Sequence, residues 1–168
     1  MRRSILLAIL GVVPVAALAG PISDEFRSGY GGVAWGTTLV DLVAQVPGGQ
    51  HLFATAAGER DYELLNDEPF LGVPRPGTAV QFGLGATNKV EIIAVNFPYE
   101  RRDQLLGALI SSFGSYSKRF VKGTSTYFDW PKDNGIHLFV RASTNPSYGI
   151  LQLLIANAPP QVTSKASQ

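Results

Sequence analysis

The chain has 168 residues, no cysteine and a formal net charge of +1. Disulfides, thiolate catalysis and cysteine-ligated metals are therefore excluded. The near-balanced charge, with no long basic run or basic helix face, argues against nucleic acid as a partner.

The N-terminus reads as a secretory leader. Arg2 and Arg3 form a positive n-region, Ile5 to Leu18 an uncharged apolar run, and Ala17-Leu18-Ala19 a small-x-small cleavage site. Cleavage is expected between Ala19 and Gly20. The apolar run is shorter than a membrane span and carries Gly11 and Pro14. Removing Arg2 and Arg3 leaves 12 basic and 13 acidic residues, so the positive balance lies in the leader. The mature chain is expected to be periplasmic or secreted, with no stable membrane anchor.

Residues 20–36 are polar and glycine-rich and read as a loose lead-in to a single domain over 37–158. Leu39, Leu42, Val43 and Val46 have the spacing of one helical stripe, stopped by Pro47-Gly48-Gly49. "ERDYELL" from Glu59 reads as a strand. Thr78 to Pro98 reads as strand, turn, strand, with the turn at Thr87-Asn88. A second helix spans Tyr99 to Phe113, with Leu106, Leu109, Ile110 and Phe113 on its apolar face and Gly114 as its end. "STYFDW" from Ser125 is another strand. Ile136 to Pro159 repeats the paired-strand pattern and turns at Thr144-Asn145. Both pairs end in Asn-x-Pro, at Asn96 and Asn157. The tail, 159–168, lacks apolar periodicity and reads as flexible.

The order helix, strand, strand, strand thus occurs twice. It predicts an α+β fold: one antiparallel sheet of about six strands, two helices on one face and two α-β-β-β pseudo-repeats. Ile136, Leu138 and Val140 point to one side of their strand; His137, Phe139 and Arg141 point to the other. Asn134-Gly135, between Trp130 and Ile136, suits a turn with positive φ.

Two segments imitate active-site motifs. Gly31, Gly36 and Thr38 match a phosphate loop, but Thr37 stands where its lysine must be. A capping box explains the segment better, with Thr38 at the cap and Asp41 returning the bond. "SYSK", Ser115 to Lys118, matches a penicillin-binding-protein motif, but it follows a helix end rather than opening a helix. Asp129, Asp133 and His137 could meet across a hairpin as a hydrolytic or metal-binding cluster. No catalytic residue, metal site or cofactor is assigned.

The segments "YGGVAWGTT", Asp41-Leu42, "FLGVP", "VQFGLGATNKVEIIAV", Phe113-Gly114 and the Trp130 strand together resemble small exported bacterial domains of unknown function. At fold level the layout is similar to the β-lactamase inhibitor protein and to small outer-membrane-assembly lipoproteins. That resemblance implies a binding module without catalytic residues. The chain lacks the lipoproteins' lipid-accepting cysteine and the inhibitor's cysteines, and no functional residue carries over. The function expected is an exported, non-catalytic binding module whose partner is a protein or envelope component. Its candidate surface is Tyr127, Asp129, His137, Phe139 and Arg141, where aromatics stand beside arginine. The alternatives are a small-ligand or lipid binder with a pocket between helices and sheet, and a small hydrolase built on Asp129, Asp133 and His137.

Overall fold

Pro21 opens a six-residue helix, α1 (Pro21–Phe26), in the computed structural model, which describes residues 20–53 and 60–157. The expected leader (1–19) and flexible tail (159–168) lie outside the described residues. Proline suits the first helical position, where its missing N–H has no partner to lose. Ile22 and Phe26 lie one turn apart and are both buried. The segment 20–36 is therefore not the loose lead-in its glycines predicted. It is anchored at Ile22, Phe26 and Val33, and the Trp35 indole N–H donates to the Phe26 carbonyl at 2.7 Å.

α2 (Leu39–Gln45) follows, then β1 (Gln50–Phe53), β2 (Arg60–Leu65), β3 (Ala79–Leu84) and β4 (Val90–Asn96). A 3-10 turn (Tyr99–Arg101) leads into α3 (Arg102–Phe113), followed by β5 (Lys118–Lys122), β6 (Ser125–Asp129), β7 (Ile136–Ser143) and β8 (Leu151–Asn157). Among the described residues the strands form one sheet in the order β1-β2-β3-β4-β8-β7-β6-β5, and every neighbouring pair is antiparallel. The fold is α+β, as expected. The sheet has eight strands rather than about six, because β1 and β5 extend its two edges. The α-helices among the described residues number three rather than two, because α1 precedes the expected pair.

Each half of the sheet is a meander, and the last strands of the two meanders meet at the centre. There Ile93 faces Ile155 and Val95 faces Leu153, all four fully buried. This seam joins parts of the chain far apart in sequence. The Asn-x-Pro coincidence does not mark equivalent positions. Asn96 pairs with Gln152 on the open face, whereas Asn157 pairs with core-facing Ile136.

One face of the sheet is roofed by helices. Leu42 of α2 and Leu105 and Leu109 of α3 join Phe82, Ile93, Leu138, Val140, Leu153 and Ile155 in a continuous buried cluster. The helical stripes are narrower than predicted. Val43 and Ile110 are largely exposed, and α3 buries Leu105 instead. Trp130 is buried at the end of α3, where its indole N–H donates to the Gly114 carbonyl at 2.7 Å. At the β6–β7 turn Asn134 and Gly135 have φ of 46° and 88°, the two successive left-handed residues of a tight hairpin.

Candidate functional site

Among the described residues no helix covers the opposite face of the sheet. Alternation along β6 and β7 sends Tyr127, Asp129, His137, Phe139 and Arg141 there, opposite the buried Phe128, Leu138 and Val140. Antiparallel register sets Tyr127 directly across from Arg141, and Asp129 across from Phe139. The five residues named from sequence thus share one surface. Phe120, on β5, joins them opposite Tyr127.

The aromatic rings form a row. Phe120 and Tyr127 stack with centroids 5.2 Å apart and planes 8° from parallel. Parallel rings at that distance cannot lie side by side in one plane, so they overlap face to face. Phe139 continues the row from Tyr127 at 6.4 Å, and His137 packs on Phe139 at 5.4 Å. Beside them His137 Nε2 lies 2.5 Å from Asp129 Oδ1. These side chains and Lys122 line a shallow depression of about 200 Å³.

A larger groove of about 580 Å³ adjoins it over the middle of the sheet. Its lining includes Asp61, Gln81, Glu91, Ile92, Arg141 and Leu154. Ile92, on β4, is 43% exposed there. Arg141 crosses the strands through neutral partners: its Nε donates to Ser125 Oγ at 3.1 Å and its Nη1 to Gln152 Oε1 at 3.4 Å. Gln152 Nε2 in turn donates to Asn96 Oδ1 at 2.9 Å. This polar ladder fixes the guanidinium without neutralising it. Among the described residues no carboxylate forms an ion pair with Arg141.

Asp133 is not part of this surface. Its Oδ2 accepts from the Ser23 N–H at 2.8 Å and its Oδ1 from the Gly20 N–H at 3.1 Å. Burial alone would raise its pKa, but the backbone donors of Ser23, Gly20 and Ile22 and the Ser23 hydroxyl outweigh it and hold the carboxyl below its usual range. The expected Asp129–Asp133–His137 cluster therefore reduces to the Asp129–His137 pair. Among the described residues no serine, threonine or cysteine lines the depression beside that pair. No group of three potential metal ligands occurs among the described residues. The helix–sheet interface, where the ligand-binding alternative expects a pocket, is lined by the buried cluster.

Both imitations of active-site motifs resolve as structure. The Asp41 N–H donates to Thr38 Oγ1 at 3.3 Å, capping α2. Asp41 does not return the bond to the Thr38 backbone; its carboxylate accepts from the Thr38 hydroxyl at 2.7 Å. Ser115 follows Gly114, the end of α3. Sequence reasoning missed Phe120 and Gln152 on the open face. A readable signal did exist for the first: "KRFVK" and "STYFD" flank Gly123-Thr124, a hairpin pattern that the three cations of the first segment obscured.

No family model matches the chain, and it has no significant match among curated proteins or solved structures.

Proposed function

We propose that the protein is an exported, non-catalytic module that binds another protein through the open face of its sheet. The observation that carries this reading is the uncompensated guanidinium of Arg141 beside a row of aromatic side chains on an uncovered surface. Arginine and aromatic residues are enriched at binding hot spots. An acidic side chain of the partner would form the ion pair with Arg141 that Asp61 and Glu91, though they line the same groove, do not, in a partly desolvated site where a charge-assisted bond is strongest. Export follows from the leader-like residues 2–19, and the partner is accordingly placed in the envelope or outside the cell.

We also read the two halves, α2–β4 and α3–β8, as pseudo-repeats. What supports this is that each is a helix followed by a four-strand meander, and that the meanders join through equivalent last strands.

Capture from envelope extract tests the binding reading. Phe139→Ala and Arg141→Ala should each lower recovery of the captured partner at least tenfold, while Val40→Ala on the exposed helix side leaves it unchanged. Equal recovery by all three variants would remove the face from consideration.

A further inference from the structure

The Asp133 carboxylate sits against the backbone nitrogen of Gly20, the first residue after the expected cleavage site. Four observations bear on this contact. Gly20 N lies 3.1 Å from Asp133 Oδ1, and the second oxygen is held by the Ser23 N–H, so the carboxylate is fixed in place. The Gly20 carbonyl accepts from the Asp24 N–H and the Ser23 hydroxyl, so the residue is held from its other end as well. A Cβ on residue 20 would lie 2.4 Å from Asp133 Oδ2, so only glycine leaves the carboxylate where it is. Asn134 Nδ2, next along the turn, lies 3.4 Å from the Ser23 hydroxyl and closes the same corner.

We propose that proteolytic maturation before Gly20 completes this site, turning its amide into an α-ammonium that forms an ion pair with Asp133 and latches α1 to the β6–β7 turn. The cleavage itself rests on the export reading above; the ion pair does not. A leader peptidase adds water across the Ala19–Gly20 bond. Ala19 leaves as a carboxylate, and the Gly20 nitrogen, released from the amide, takes up protons to become a cation. One N–H facing Asp133 is thereby replaced by a positive charge facing it.

Among the described residues the surroundings offer the ammonium no other partner. On α1, Asp24 is engaged by Arg27 at 2.8 Å, and Glu25 is exposed. On the turn, Lys132 is exposed. Of the elements packed on α1, β7 sends His137 and Arg141 to the opposite face, and the ionisable residues of α3, Arg102 and Asp103, pair with each other in its first turn at 2.9 Å. A cation at a helix start is otherwise disfavoured by the helix dipole. Asp133 therefore decides the sign of the effect.

The α-amine pKa in the folded chain should rise above its unfolded value of about 8. A raised pKa adds stability that is fully present below the unfolded value and is lost as pH rises through the folded one. The experiment compares chains made with a free Gly20 amine, by a fusion cut that leaves no extra residue, with chains that retain Ala19. Each is made with Asp133 and with Asp133→Asn. At pH 6 the free-amine chain should melt about 3 °C above the Ala19 chain. The gap should close as pH rises above the folded pKa, and should vanish or reverse in Asp133→Asn. No gap at pH 6, or one that survives Asp133→Asn, overturns the latch. Should Asp133→Asn not fold, NMR titration of the Gly20 amine in the unaltered chain decides: a pKa at or below the ordinary value overturns it. N-terminal sequencing of the exported chain tests the cleavage separately. A start other than Gly20 overturns the maturation step, whereas failure of partner capture alone would touch only the binding reading.

Discussion

Arg75 shows how one residue holds a long connection in place. It is fully buried, yet no carboxylate pairs with it among the described residues. Its guanidinium instead donates to the Glu68 carbonyl at 2.8 Å, to Asn66 Oδ1 at 2.5 Å and to the Asn96 carbonyl at 3.3 Å, and it lies over the Phe97 ring. Burial lowers its pKa from the usual arginine value, while Tyr30 and Glu68 pull it back up. The loop between β2 and β3 thus closes around a cation bonded to carbonyl and amide dipoles. Arg75→Met would fill much of the same volume and strip the Glu68 and Asn96 carbonyls of the guanidinium's bonds, while Asn66 Oδ1 would keep only the Glu68 N–H at 3.2 Å. We expect a loss of about 3 kcal/mol, read as a shift in the urea midpoint at constant slope. Nothing in the composition singled out this arginine. Its role depends on a chain path that returns past Asn96, and local sequence does not encode that.

At the scale of elements, legibility followed periodicity. β7 and β8 alternate cleanly and β3 nearly so, whereas β4 breaks the pattern at Glu91-Ile92 and Ala94; the sequence placed all four strands and the two faces of β7 correctly. The Asn134-Gly135 turn was legible because two successive positive φ angles demand those residues. α1 was not, because six residues hold less than two turns of pattern and glycines surround them. β1 and β5 were missed as edge strands, which have a partner on one side only and need no apolar alternation. In β5 all five residues are exposed, and Lys118, Arg119 and Lys122 guard its open backbone edge. Lys118→Thr with Lys122→Thr removes two of those charges from a free edge. Light scattering should then show association at concentrations where the parent chain stays monodisperse.

α3 contains a further element-scale weakness. Gly107 lies mid-helix on the exposed side, and a Cβ there would meet nothing within 4 Å. Gly107→Ala should stabilise the protein by about 1 kcal/mol, chiefly by restricting the unfolded chain. A rise of about 3 °C in Tm would register it. The candidate surface was legible for a related reason. Once β7 is read as alternating, His137, Phe139 and Arg141 must leave the core together. What alternation could not convey was Gln152 steadying Arg141 from β8, since the pairing of β7 with β8 is a matter of register.

For the whole molecule the decisive feature is the seam between β4 and β8. The chain crosses from one meander to the other at Pro98, and the longest-range backbone pairing in the sheet lies between the two final strands. α1 reinforces that union, since the N-terminal helix packs on β7 and α3 of the far half. Neither half alone covers its own last strand. Separated at Pro98, each fragment would expose a complete apolar ladder, Ile93 and Val95 on one side, Leu153 and Ile155 on the other. We expect each fragment alone to lack cooperative unfolding, and an equimolar mixture to recover native-like circular dichroism with a concentration-dependent melting temperature.

That seam makes the molecule a heterodimer in all but covalent connectivity. Its mate-recognition surface is written into two strands rather than into the linker, so a cut or a circular rearrangement of the polypeptide at Pro98 is a change the architecture can absorb.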